Sequence, residues 1–262
     1  MSPIRTCLWL SMLLGPGCNG GGAGDAGEAS SGSSGADGSD SGVVTEDAPG
    51  GTLFGAPVTA YVQQAGGVPT VVGVVIPIAA IEAAPDDGPF QDDLVLDMPQ
   101  LAREQTMLWQ LRVNWLAHGH GPAPYSESHF DLHFYRGTTA EIDAIDCQGD
   151  GVFAAELLTD DHQTPTTCVA GMGYHAWPTA DALPGAVFTA SMILGYFAER
   201  MVFIEPMIAR STLLARADFE RAISRPAATG GPPTLYPTRM RALWLAEEAA
   251  YHLEFDRFVM VP

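Results

Sequence analysis

The sequence is poor in positive charge: its 262 residues carry 12 Lys+Arg against 31 Asp+Glu, for a formal net charge of −19. An acidic surface repels phosphate backbones, so nucleic acid is not an expected partner. Long apolar runs are also missing, and the one near the N-terminus, Cys7 to Leu14, is far too short to cross a bilayer as a permanent anchor. No Gly-x-Ser-x-Gly elbow occurs, and Ser126 and Ser128 stand in a loop rather than at a strand-to-helix turn, which leaves nucleophilic catalysis without support. The glycine-rich stretch lacks the lysine of a phosphate-cradling loop, and no internal repeat is visible.

The N-terminus begins MSPIRTCLWLSMLLGPGCNG: one basic residue, Arg5, then the apolar run, then small residues leading to Cys18. That is the order of a bacterial export signal. Lipoprotein signals are cut just before a cysteine that is then acylated, which makes Cys18 the candidate lipidation site with Gly17 before the cut. Gly15 and Pro16 depart from the usual pattern, so a plain cleaved signal with an incidental cysteine is the alternative. Residues 1–18 are read as the signal and 19–50 as a tether of Gly, Ser, Ala and acidic residues, which cannot bury enough apolar surface to order itself. A domain held to a membrane by a lipid needs such a tether. The remaining cysteines, Cys147 and Cys168, are the only pair in the body, and in an exported protein they are expected to form a disulfide worth about 3 kcal/mol by loop closure.

Residues 51–262 are read as a single globular domain. GTLFGAPVTAYVQQAGGVPTVVGVVIP predicts a hairpin turning at QQAGG, followed by a short helix around Ile78 to Ala84. Met107 to Leu116 predicts a strand, and GTTAEIDAID a short helix capped by Thr138 or Thr139. Further on, two β-rich runs flank FAER, a short helix follows in MIARSTLLAR, and a hairpin closes the chain around EEAA. The fold class predicted is α+β: a mainly antiparallel sheet with short helices, with a ferredoxin-like βαββαβ order from His129 onward.

The chemistry concentrates in HGHGPAPYSESHFDLHFY, His118 to Tyr135, which holds four of the seven histidines. In HFDLHFY the alternation puts Phe130, Leu132 and Phe134 on one strand face and His129, Asp131, His133 and Tyr135 on the other. Two readings stay open. In the first, Asp131 with His129 or His133 holds a divalent metal such as zinc, with His120 and His175 as further ligands. His129 and His133 lie roughly 13 Å apart along a strand, too far to share one ion. In the second, the face is a buried hydrogen-bonded network in which Asp131 accepts from both flanking rings, or it lines a metal-free ligand pocket or an acid/base site. Glu205 in FIEPMI is read as a lone carboxylate, solvated or capping.

Four motifs in order, GHGPAPYSESHFDLHFY, GMGYHAW, FIEPMIAR and YPTRMR, resemble a family of bacterial exported proteins, the TTHB-two-one-zero-like domain. The resemblance covers about Gly51 to the C-terminus. By position it carries over His120, His129, Asp131, His133, Tyr135, Met172, His175, Glu205, Pro206 and Met207; His118 has no counterpart, and Leu116–Ala117 stand where the family favours Asn-Pro. It implies an exported location and a homo-oligomer, as in a ring-forming member under envelope-stress control, and brings no settled activity. The expectation is therefore an exported, lipid-anchored envelope protein with a metal or small-ligand site on the HFDLHFY strand, or alternatively a non-catalytic structural homo-oligomer.

Overall fold

The computed structural model describes residues 43–149 and 151–262; the expected export signal, Cys18 and most of the expected tether lie outside the described residues. The chain opens with strands β1 (Val44–Asp47), β2 (Gly51–Leu53), β3 (Ala56–Ala65) and β4 (Val68–Pro77), then helix α1 (Ile78–Glu82), β5 (Leu94–Asp97) and α2 (Gln100–Gln105). Next come β6 (Gln110–Leu116), β7 (His129–Tyr135), α3 (Thr139–Asp143), β8 (Thr167–Val169), β9 (Gly173–Ala176), β10 (Ala190–Phe197) and β11 (Arg200–Ala209). The chain closes with α4 (Arg210–Leu214), β12 (Phe219–Ala222), β13 (Thr234–Tyr236), β14 (Arg239–Leu245), β15 (Ala250–Asp256) and β16 (Val259–Val261). Among the described residues, no helix is long and apolar enough to cross a membrane.

Local chemistry accounts for several of these elements. Gly66 and Gly67 between β3 and β4 both take positive φ, 59° and 79°, as a tight two-residue hairpin turn requires. Thr138 caps α3: its side chain accepts from the Glu141 amide while Glu141 reaches back to the Thr138 amide.

Two large antiparallel sheets form the body. The first has the order β1-β3-β4-β15-β14-β12 with β2 also paired to β3, and the second has the order β5-β6-β7-β11-β10-β9-β8; β13 and β16 make a small third sheet. Their apolar faces meet in one core, where Phe130, Leu132 and Phe134 of β7 join Val72, Leu253 and Phe255 of the first sheet. The Phe134 and Phe255 rings lie 4.6 Å apart.

Two expectations change here. The tether was expected to run to residue 50, yet Val44–Asp47 pairs along β3 from Val44↔Gln64 to Asp47↔Tyr61. An edge strand needs only backbone partners, and Val44 and Thr45 are good strand formers. The mainly antiparallel α+β character is as expected, but the ferredoxin-like order does not appear as one sheet. Strands from His129 onward divide among all three sheets, β7 to β11 in the second, β12, β14 and β15 in the first, and β13 and β16 in the small third. Element order alone does not decide which strands pair.

Candidate metal centre

Strand β7 is central in its sheet, with β6 on one side and β11 on the other, and all seven of its residues are buried. Its face away from the core carries His129, Asp131, His133 and Tyr135. Register extends this face across the sheet: Asn114 lies opposite Asp131 and Arg112 opposite His133 on β6, while on the other side Met207 lies opposite Asp131. Glu205, two residues before Met207 and therefore on the same face, lies opposite Ile193 of β10, and His175 of β9 opposite Gly195. A side chain at Gly195 could not fit, since a Cβ there would come 2.0 Å from the Phe203 ring. That ring packs against both the His133 and His175 imidazoles, at 4.9 and 5.0 Å, while the two imidazoles themselves lie 5.8 Å apart.

His120 reaches the face from the loop between β6 and β7. Gly119, at φ +61°, makes the turn, where a Cβ would meet the Tyr125 carbonyl at 2.3 Å. The His120 amide donates to that carbonyl, and the Tyr125 hydroxyl donates to Asp181 at 2.7 Å. These contacts tie the loop down over the sheet.

The result is two three-ligand groups: His120, His129 and Asp131, and His133, His175 and Glu205, with the ligand atoms of each group within 4.8 Å of one another. In the first, Asp131 Oδ1 is 3.1 Å from His129 Nε2 and Oδ2 is 3.6 Å from His120 Nε2. In the second, Glu205 Oε1 is 3.5 Å from His133 Nε2 and Oε2 is 3.9 Å from His175 Nε2. Ligands at about 2.0–2.1 Å from a tetrahedral ion stand roughly 3.3 Å apart, so these separations suit a shared ion.

The tautomers point the same way. Nδ1 of His120, His129 and His175 lies 2.7, 2.6 and 3.0 Å from the carbonyls of Gly121, Glu127 and Gly173. A carbonyl only accepts, so Nδ1 carries the proton in each ring and a neutral ring presents a bare Nε2 lone pair to a carboxylate. Two lone pairs facing each other need a cation between them, a proton or a metal. Five of the nine buried side-chain polar atoms without a hydrogen-bond partner among the described residues belong to these groups: His129 Nε2, Asp131 Oδ1, both His133 nitrogens and Glu205 Oε2. His162 provides the contrast. Its ring is buried as well, but Nδ1 meets Asp161 and Thr159 and Nε2 meets the Met192 carbonyl, each at 2.9 Å.

The electrostatics of the two groups differ. Burial opposes charge on Asp131, but hydrogen bonds from His120 and His129, with the imidazole charges, outweigh it and hold the carboxyl below its usual range. Burial likewise disfavours charge on His120, yet the Asp131 carboxylate prevails and raises it. In the second group burial pushes His133 down to about 3 and His175 down to about 4. Burial, then the nearby Asp131 charge, pushes Glu205 well above the carboxylate range. Burial thus works against charge on every member of the second group, whereas in the first the Asp131 carboxylate and the His120 imidazole favour each other's charge.

All five expected ligands reach this face, divided between two groups, and His129 and His133 do indeed fall in different ones. Asp131 does not serve both flanking rings: it faces His129 and His120, while His133 faces Glu205. Glu205 is neither solvated nor a cap, being only 2% exposed within the second group. Its signal was present as a carboxylate inside an otherwise apolar run, MVFIEPMIA. His118 stands apart at the surface beside Asp87.

A cavity of ≈ 680 Å³ opens above both groups, reaching Asp131, His133, Glu205, His120 and His175, and its remaining walls are mainly apolar. Thr167 and Val169 of β8 line one side, and Cys168 between them is bonded to Cys147, with Cα atoms 5.8 Å apart. The expected disulfide thus anchors a cavity wall. No family model, curated protein or solved structure matches the chain. Function must therefore be read from the site itself.

Proposed function

We propose that the protein is an exported, lipid-anchored envelope protein that binds two divalent transition-metal ions, of which zinc is the best match. One ion lies at His120–His129–Asp131 and the other at His133–His175–Glu205. The observation that carries the reading is the convergence of five unpartnered buried polar atoms on these two groups. Leaving each unpaired would cost roughly 1–3 kcal/mol, and a cation bound at each group removes that penalty for all but His133 Nδ1, since that ring faces Glu205 with Nε2. A proton can bridge an Nε2–carboxylate pair as well, but each group brings two imidazoles to one carboxylate, a three-ligand set that one metal ion satisfies together, and three of the rings hold Nδ1 against backbone carbonyls. Such backbone contacts are the usual support for metal-ligating imidazoles.

Two imidazoles and one carboxylate would leave a coordination position free, and side chains of both groups line a cavity. That arrangement suits a metal that meets a ligand better than one that only braces the fold. Export is supported by the disulfide, since such bonds persist in oxidising compartments. Elemental analysis of the purified protein tests the metal: two equivalents are expected, and a metal-free protein would end the reading. Cys18→Ser should shift the protein out of the membrane fraction, and unchanged partitioning would remove the lipid anchor from the account.

A further inference from the structure

We infer that the cavity above the two metal groups takes an amphiphilic carboxylate, whose oxygen head completes the metal coordination and whose hydrocarbon body lies along the apolar wall. The inference rests on the metal-binding reading of the same site. Charge supplies its first support. Two divalent ions with ionised Asp131 and Glu205 leave a net charge of about +2 in a buried place, and among the described residues no other acidic side chain lines the cavity. An anionic oxygen donor from the ligand supplies one of the two missing negative charges.

The wall supplies the second support. Leu116, Met172, Ile193 and Met207 present hydrocarbon and thioether surface, and among the described residues no arginine lines the cavity. A phosphate or a sugar would press its outer oxygens against hydrocarbon, losing water without replacement. An alkyl body loses nothing there. The mouth adds a third observation: Phe90, 54% exposed on the acidic loop before β5, lines the same cavity and gives an apolar body a surface to meet on entry. The volume of ≈ 680 Å³ falls within the range of small-molecule sites.

The test is calorimetry on the zinc-loaded full-length protein with acetate, hexanoate and decanoate, with zinc content measured on each sample. Binding should tighten by about tenfold for every two methylenes that enter the cavity. Decyltrimethylammonium, with the same tail and a cationic head, should bind at least tenfold more weakly than decanoate. Met172→Gln should flatten the chain-length dependence while zinc content stays at the wild-type value. Equal affinity across the acids in zinc-containing protein would overturn the hydrocarbon-body claim, and equal affinity for the cationic amphiphile would overturn the coordinated head. A sample that takes up no zinc would instead refute the metal reading, and the coordinated head with it.

Discussion

The two faces of β7 are equally buried and chemically opposite. Phe130, Leu132 and Phe134 close-pack against the first sheet, whereas His129, Asp131 and His133, one residue away each time, are shut in with polar atoms that meet no partner. Burial of the first face drives folding through apolar contact. Burial of the second opposes folding until something satisfies it. The proposed ions offset this cost on the one side where it is incurred.

The comparison can be broken most strongly on the apolar face. Phe134→Ala should destabilise the protein by about 3–5 kcal/mol in urea unfolding, because the ring's contact with Phe255 is lost and a cavity is left between the sheets. A loss under about 1 kcal/mol would mean that this face is not the core. Next in size is the cover over the polar face: Cys147→Ser with Cys168→Ser should cost about 3 kcal/mol by loop closure, with no loss of zinc, since neither cysteine is a ligand. Loss of zinc in that double variant would move the disulfide from the wall into the site.

A pH experiment sharpens the contrast within the polar face. Below its raised pKa Glu205 must release a proton to bind a cation, whereas His133 and His175, depressed to about 3 and 4, bring no proton at pH 6. Affinity at the second group should therefore fall by about tenfold, or 1.4 kcal/mol, for each unit by which pH is lowered below the Glu205 pKa. Zinc titrations of Asp131→Asn, in which only this group retains its carboxylate, check it. A pH-independent affinity would mean that Glu205 is already ionised. Smallest of all is His118→Ala, expected within about 0.5 kcal/mol of wild type in stability and unchanged in zinc content, because that ring is exposed. A larger effect would draw His118 into the site.

Much of this was legible because it is local. Period-two alternation in HFDLHFY identified both faces of β7, and the turn glycines and the Thr138–Thr139 pair marked their elements, the structure selecting Thr138 as the cap. Long-range register was not legible. Glu205 reaches His133 only because β11, some seventy residues later, pairs antiparallel with β7. Nothing near Glu205 in sequence announces that neighbour, and a lone carboxylate beside a proline read as solvent-facing. The same limit explains the single Asp131 bridge expected between two rings and the ferredoxin-like order, both of which assumed that neighbours in sequence are partners in space. The polar alternation of Gln110, Arg112 and Asn114 in β6 continues the same face, and a second strand with such a pattern was a further signal of a buried polar layer.

The central claim is that two separate groups each hold one ion, and a zinc titration of metal-depleted protein against a competing chromophoric chelator tests it most directly. Wild type should bind two equivalents, Glu205→Gln and Asp131→Asn one each, and the double variant none. Unchanged stoichiometry in both single variants, or no binding by the wild type, would contradict the account.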